Sequence, residues 1–276
     1  MNSIIGNLEY KLQNPAKDIE EIKRVHAKIE EKINRERPDP KEFIGIVPEE
    51  KIKQDLTAVE MLEKKWEQGN DLEAQETKLK ADITEYIIYK NLGTWINQKA
   101  LPIITSKPDD YLRGIDLLLE SENEKSPDIN HIGIGIDVAL VSSKGSSQSI
   151  ENKKNKIKNF IRLGKLTEAR YVSGGSFEGS IENLSYIAIF VSNEHFEDLF
   201  SSVLKNGSNE KEQKHILKYI IAYQILKQLG TYYEVSEKKE HDVCAYEYGK
   251  ANNFAYDTFE HLLKEMEANP DIWEKV

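Results

Sequence analysis

Two long apolar runs constrain the fold more than any other feature of the sequence: residues 131–143 (HIGIGIDVALVSS) and 184–193 (LSYIAIFVSN). Their β-branched content is typical of buried strands. A shorter run, 114–120 (GIDLLLE), comes before them, and a polar segment separates it from 131–143, so we expect these two runs to be neighbouring antiparallel strands. From residue 71 on, the pattern predicts the order α, β, β, α, β, α, α, with a short extra strand near 101–105. The sequence therefore predicts an α/β fold with a mixed sheet and flanking helices.

Both ends of the chain are helical in pattern. Three segments rich in Glu, Lys, Ile and Leu predict helices at roughly 16–36, 48–68 and 71–92, the first two separated by prolines and the last ending at Gly93. Two more helices are expected at about 209–229 and 250–268, ending at Gly230 and at Asn269-Pro270. We expect three parts: a helical arm (1–70), an α/β core (71–205) and C-terminal helices packed on that core (206–276). The arm serves either surface packing or a contact between copies of the chain in a homo-oligomer.

Composition excludes several classes of protein. The formal net charge of −10 is not that of a protein that coats nucleic acid along its whole surface, so any nucleic-acid contact must be local. The single cysteine, Cys244, rules out an intrachain disulfide framework and a cysteine-built zinc site. No window approaches about 18 consecutive apolar residues, so we expect a soluble, cytoplasmic protein without a membrane partner. Neither a phosphate-binding P-loop nor a serine-hydrolase elbow occurs in the sequence.

Asp116 and Asp137 each lie inside an apolar strand pattern, where a buried carboxylate is unfavourable without a partner. If the two strands pair, the two aspartates can converge on one face of the sheet. A divalent cation or basic side chains would keep both ionised, and oxygen ligands favour Mg²⁺ or Mn²⁺. The alternative is structural: the two aspartates cap turns at strand ends or pair with Arg113, Lys144 or other nearby lysines.

The helix predicted at 151–164 carries most of the local positive charge. Lys154, Lys158, Arg162 and Lys165 follow one another at helical spacing and form a single stripe, which we call the basic stripe. A polyanion such as DNA or RNA would relieve the repulsion within the stripe. The alternative is a solvated helix face that pairs with acidic residues elsewhere.

Three segments carry a resemblance to a known family: DDYLRGIDLLLE, IGIGIDVALVSSKG and KKNKIKNFIRLGKL. With Glu85 on the preceding helix and a buried strand after the basic helix, they resemble the PD-(D/E)XK, restriction-endonuclease-like nuclease superfamily, including uncharacterised bacterial members. The resemblance covers residues 71–193. It implies that Glu85, Asp116 and Asp137 bind Mg²⁺ and that a lysine close to the second acid orients or activates water.

The chain departs from this family at one position. The usual lysine stands two residues after the second acid, where this sequence has Ala139. Lysines displaced onto other elements occur in the superfamily, so Lys153, Lys154 or Lys158 would replace it. Glu85 itself has an ordinary alternative as a solvated helix residue.

The resemblance and the residues together predict metal-dependent phosphodiester hydrolysis of nucleic acid. Asp116 and Asp137 would hold Mg²⁺ or Mn²⁺ with help from Glu85, and Lys154 or Lys158 would position water or phosphate. Lys153, Arg162 and Lys165 would contact the phosphates of the substrate. The alternative is a noncatalytic module of the same fold that binds nucleic acid or a protein partner.

Overall fold

The computed structural model describes residues 15–68, 72–121, 133–141, 147–174, 177–204 and 212–276. Its helices and strands form an α/β fold with a mixed, curled sheet. The helices are α1 (Pro15–Glu36), α2 (Glu49–Glu67), α3 (Leu72–Trp95), α4 (Ser147–Leu163), α5 (Asn193–Leu204), α6 (Leu217–Lys238), α7 (Asp242–Ala268) and α8 (Pro270–Trp273). The strands are β1 (Ala100–Ile104), β2 (Leu117–Ser121), β3 (Gly133–Val141), β4 (Thr167–Gly174) and β5 (Phe177–Ser192).

The five strands form one sheet in the order β1-β2-β3-β5-β4. Strands β1, β2 and β3 are successive antiparallel neighbours, which confirms the predicted pairing of the second and third strands. Strand β5 runs parallel to β3 and antiparallel to β4. The parallel pairing is possible because the chain passes through α4 and β4 between the end of β3 and the start of β5.

Helices cover the sheet, and the apolar face of the expected arm is part of the main core. Ile22, Val25 and Ile29 of α1 are buried in the same cluster as Ile83 and Ile87 of α3. Within the described residues, the apolar stripe of α1 therefore packs against other parts of the same chain. None of the described helices has the length and apolar content needed to span a bilayer.

Strand β4 pairs with β5 only as far as Leu184. Beyond Leu184, two glutamine side chains of α6 cover that edge of β5. Gln228 accepts a hydrogen bond from the backbone N–H of Ala188 at 3.1 Å and donates to its carbonyl at 2.6 Å. Gln224 makes the same pair of bonds with Phe190, at 2.8 and 2.9 Å. These side chains satisfy backbone groups that would otherwise lack a partner strand.

Two glycines that were expected to mark helix boundaries lie inside helices. The predicted end at Gly230 is wrong, because α6 continues to Lys238, and the predicted start at 250 is wrong, because α7 begins at Asp242. A Cβ on Gly230 would meet nothing closer than Asn252 at 3.7 Å, while one on Gly249 would lie 3.3 Å from the Tyr233 ring. Gly249 therefore serves the close packing of α6 against α7 rather than a helix end. Gly93 likewise lies inside α3.

The stretch between α4 and α5 also differs from the prediction. It contains the unpredicted strand β4, which pairs with the first half of β5, and β5 is longer than the predicted strand at 184–193. Gly179 lies within β5 at a φ of +154°, a conformation that favours glycine. Helix α5 follows β5 directly and was not predicted either.

Candidate functional site

Asp116 and Asp137 lie close together where β2 and β3 meet. The ladder of the two strands ends with the pair Leu117 and Ile136, and Asp116 immediately precedes β2. The Asp116 N–H donates to the Ile136 carbonyl at 2.9 Å, which holds Asp116 against β3. Both side chains are buried, at 7% and 4% residue exposure, and the Asp137 charge raises the pKa of Asp116. The expected convergence of the two aspartates is therefore present.

The two carboxylates have different partners. Asp116 Oδ2 accepts a hydrogen bond from the backbone N–H of Val138 at 2.6 Å. Asp137 accepts hydrogen bonds from the Lys153 ammonium at Oδ1 and from the Tyr186 hydroxyl at Oδ2. Asp137 is thus already neutralised by a cation from α4, while Asp116 faces further acids.

Those further acids are Glu85 of α3 and Asp110 of the π-helical turn Asp109–Arg113. One carboxylate oxygen from each of Glu85, Asp110 and Asp116 lies within 4.8 Å of the other two. We call these three residues the acid cluster. Its oxygen donors and spacing fit a hard divalent cation such as Mg²⁺ or Mn²⁺. Asp137 lies next to this cluster but is not one of its three members, and Asp110 was not predicted as a ligand.

Electrostatics identify the acid cluster as a place of unbalanced negative charge. Burial raises the pKa of Asp116 well above its usual value, and the charges of Asp137 and Asp110 raise it further, although Lys153 opposes them. Burial also raises the pKa of Glu85 well above its usual value, with Asp116 and Asp110 adding to the effect. A bound cation would reverse this preference for the protonated forms.

Asp110 lies in the cluster because the π-helical turn ends sharply at Gly114. Gly114, in the left-handed conformation at a φ of +66°, ends the π-helical turn, and its N–H donates to the Asp110 carbonyl at 2.8 Å. A Cβ at Gly114 would lie 2.8 Å from the Lys156 Nζ and 3.6 Å from Asp137 Oδ2. The left-handed conformation favours glycine, and a side chain there would also displace the Lys156 ammonium. The turn residues could not be placed from the sequence, because the predicted strand began at Gly114 itself.

Two lysines of α4 approach the carboxylates. Burial lowers the pKa of Lys153, but Asp137 and Asp116 more than offset this and raise it overall, so its ammonium stays charged. Lys156 donates to the Arg113 carbonyl at 2.6 Å and lies 4.3 Å from the Tyr186 ring centroid, and burial lowers its pKa. Lys153 is therefore the one of the three predicted lysines, Lys153, Lys154 and Lys158, that contacts Asp137.

The basic stripe lies outside this arrangement. All four residues are exposed on α4 or just after it, and none lines the cleft that contains the acid cluster. Lys158 lies 3.8 Å from Glu151, and the Arg162 guanidinium lies 3.4 Å from Asn159 Oδ1. Lys154 and Lys158 therefore do not lie beside the acid cluster, and their predicted role there has no support from their position. Phosphate binding by Arg162 and Lys165 stays a prediction, and it concerns a surface apart from the cleft.

Pro108 and Asp109 match the letters P and D in the name of the superfamily, but Asp109 has a structural role. Asp109 is fully buried and accepts hydrogen bonds from the backbone N–H groups of Arg170 and Tyr171 at 2.8 and 2.9 Å. The Ser106 hydroxyl donates to it at 2.9 Å. Both of its carboxylate oxygens are therefore used to fasten the π-helical turn to β4.

A cleft of about 710 Å³ opens onto the acid cluster. Helices α1, α2 and α3 form its walls together with the π-helical turn and β3. Arg37, just after α1, lies 3.0 Å from Asp110 through its Nη2. Asp116, Glu85 and Lys153 line the same cleft, so its chemistry combines carboxylates with cationic side chains.

Comparison of the chain with protein-family models, with curated proteins and with solved structures gives no match. Function must therefore be argued from the site itself.

Proposed function

We propose that the protein hydrolyses phosphodiester bonds of nucleic acid with the help of Mg²⁺ or Mn²⁺, as a PD-(D/E)XK-like nuclease. The observation that carries the proposal is the acid cluster beside Asp137, with Lys153 fixed on that second acid. The order of the elements also supports it: a helix with Glu85, the antiparallel strands β1, β2 and β3 with Asp116 just before β2 and Asp137 in β3, a basic helix, and after β4 a strand parallel to β3. These are the features in which the sequence resembles the superfamily.

The chain's own residues would divide the chemistry. Glu85, Asp110 and Asp116 would hold the cation, and the bound cation would supply charge stabilisation for the phosphate and a lowered pKa for water. Lys153 would orient the attacking water or hold a phosphate oxygen, since its ammonium stays protonated between Asp137 and the Val138 carbonyl, 3.2 Å away. Tyr186 would keep Asp137 in place through its hydroxyl.

The test is a comparison of the wild type with Asp116→Asn in calorimetric titrations with Mn²⁺ and in cleavage of plasmid DNA and of RNA. The proposal expects measurable Mn²⁺ binding and cleavage by the wild type and neither by Asp116→Asn. Asp39→Asn is the matched control, because Asp39 is exposed and caps a short 3₁₀ turn outside the cleft. Equal Mn²⁺ affinity in all three proteins would reject the metal site.

A noncatalytic nuclease-fold module is the second candidate. One observation favours it: Asp137 already has both oxygens engaged, by Lys153 and Tyr186, and the acid cluster forms without it. In that case, the wild type would bind Mn²⁺ and nucleic acid, and no cleavage would be detected at any divalent-ion concentration.

A further inference from the structure

We propose that the cleft takes a single unpaired nucleotide of a nucleic-acid strand, with its base against Trp66 and Tyr111 and its phosphate beside Arg37. The proposal rests on the proposed function and names the form of substrate that this site accepts. It predicts action at single-stranded ends or splayed nucleotides and not within an intact duplex.

The size and walls of the cleft limit what can enter. Its volume of about 710 Å³ falls within the range of about 300–1,000 Å³ of pockets that bind small molecules. Duplex DNA is far broader, since its major groove alone is about 12 Å wide. Residues of α1, α2 and α3 surround the acid cluster, including Asn34, Glu63 and Thr77. One unpaired nucleotide can reach the cluster, whereas a base-paired one remains outside.

An aromatic pair lies in the wall of the cleft. The ring centroids of Trp66 and Tyr111 are 4.8 Å apart at an interplanar angle of 74°, and Trp66 is 41% exposed. The Lys78 ammonium lies 4.8 Å from the Trp66 centroid and 5.6 Å from the Tyr111 centroid, so a base that stacks on Trp66 would take the place of the Lys78 side chain. Tyr111 directly follows Asp110, so this pair adjoins the acid cluster. Exposed aromatic rings beside a phosphate site are the usual platform for an unpaired base.

Arg37 supplies an unmet hydrogen-bond donor. Its Nη2 pairs with Asp110, while its Nε is buried and has no acceptor. Among the cleft-lining residues that the structure describes, no other has a buried polar side-chain atom without a partner. A phosphate oxygen is the acceptor that a guanidinium binds best, and it would satisfy this donor after a small movement of the side chain.

The charge of the cleft makes binding of a phosphate dependent on a metal ion. Its described lining has seven carboxylates and four Lys or Arg side chains. The carboxylates are Glu30, Glu63, Glu73, Asp82, Glu85, Asp110 and Asp116, and the cations are Arg37, Lys78, Lys107 and Lys153. A phosphate is therefore repelled until a divalent cation occupies the acid cluster. Binding of the strand in the cleft depends on the metal.

The test measures binding by fluorescence anisotropy with end-labelled oligonucleotides and the full chain. The probes are single-stranded DNA, single-stranded RNA and a blunt DNA hairpin, each in Ca²⁺ and in EDTA. Ca²⁺ also takes oxygen ligands and allows binding to be measured without relying on turnover. The variants are Trp66→Ala, Trp66→Phe and the control Trp273→Ala, since Trp273 is similarly exposed, at 44%, but packs on Tyr223 outside the cleft.

The proposal expects Ca²⁺-dependent binding of single strands that Trp66→Ala weakens by about 5- to 100-fold, the effect of removing the stacking of one base. Trp66→Phe should restore most of the affinity because it keeps a ring, and Trp273→Ala should behave as the wild type. Arg37→Met should weaken single-strand binding as well. The DNA and RNA arms show which strand chemistry is preferred.

Two results would overturn the proposal: wild-type affinity of Trp66→Ala for single strands, or equal affinity of the wild type for the blunt hairpin and for a single strand. These outcomes differ from failure of the proposed function, which is read from Mn²⁺ binding and cleavage by Asp116→Asn. If Asp116→Asn loses both while Trp66→Ala binds normally, only the substrate inference fails. If Asp116→Asn keeps both, the nuclease proposal fails whatever Trp66 does.

Discussion

Lys153 on α4 donates a hydrogen bond to Asp137 on β3, sixteen residues earlier in the chain. This contact gives the second strand acid its counter-charge from a helix, because position 139, two residues further along β3, is an alanine. Lys153 is 26% exposed in its side chain and Asp137 only 5%, so the pair is shielded from most solvent. The contact therefore matters for the fold as well as for the proposed chemistry.

Replacing Lys153 by Met should destabilise the protein by about 3 kcal/mol, because it leaves a buried carboxylate without its cation. Lys154→Met is the matched control. Lys154 is exposed on the same helix, so its change should stay within about 0.5 kcal/mol. Urea unfolding at neutral pH measures both. Equal stabilities of the two variants would show that the Lys153–Asp137 pair contributes little.

In the metal-free protein, the contribution of Glu85 and Asp116 to the free energy of unfolding should decrease as the pH rises from the acid range to neutrality. Their pKa values in the folded state lie well above the ordinary values of 4.5 and 3.8. Folding therefore favours their protonated forms, and this stabilisation is lost as the pH rises through the raised values. The difference in unfolding free energy between Asp116→Asn and the wild type should grow in favour of the variant from about pH 5 to about pH 7.5. A constant difference across that range would contradict the raised pKa of Asp116.

Metal binding should release protons. Mn²⁺ binding requires ionised carboxylates, and the raised pKa values of Glu85 and Asp116 favour their protonated forms in the metal-free protein. The affinity for Mn²⁺ should therefore increase with pH until both groups are ionised. Calorimetry in two buffers of different ionisation enthalpy counts the released protons. An affinity that does not change between about pH 5.5 and about pH 7.5 would argue against these two ligands.

Asp109 and Asp110 are adjacent, and their Asn variants should separate structure from function. Asp109→Asn weakens the bonds to two backbone N–H groups and removes the charge that faces Arg113, 3.3 Å away, so it should destabilise the fold by about 2–3 kcal/mol. Asp110→Asn removes the charge that faces Arg37, so it should also lower stability, but it should keep the fold at room temperature and lose Mn²⁺ affinity. Thermal melting and Mn²⁺ titration of both variants check this. Loss of Mn²⁺ affinity in a folded Asp109→Asn variant alone would reverse the assignment.

The basic stripe should give a salt-dependent contribution to nucleic-acid binding if it binds phosphates. Changing Lys154, Lys158, Arg162 and Lys165 to Gln should lower the slope of log affinity against log salt by about 0.7–0.9 for each phosphate that the variant no longer neutralises. Because the stripe lies outside the cleft, Mn²⁺ binding should not change. An unchanged salt slope would assign this helix face to solvent.

The sequence was sufficient to predict the pairing of β2 with β3 and the meeting of Asp116 with Asp137. Both follow from local patterns: apolar runs define strands, and a period of two fixes which side chains share a face. Asp110 and Arg37 could not be found in this way. Asp110 depends on a π-helical turn that Gly114 closes, and Arg37 lies 73 residues from its partner Asp110. Such relationships depend on tertiary packing, and residue patterns in a single sequence do not show which distant residues come into contact.

The glutamine pair on α6 has a consequence for how this protein meets other chains. An exposed strand edge invites a strand from another molecule, and that is a route to aggregation and to peptide capture. Gln224 and Gln228 occupy the backbone groups of Phe190 and Ala188 that an incoming strand would need. Strand addition at this edge would first require α6 to move away from the sheet. The helix therefore protects the protein against edge-to-edge self-association while it packs the core.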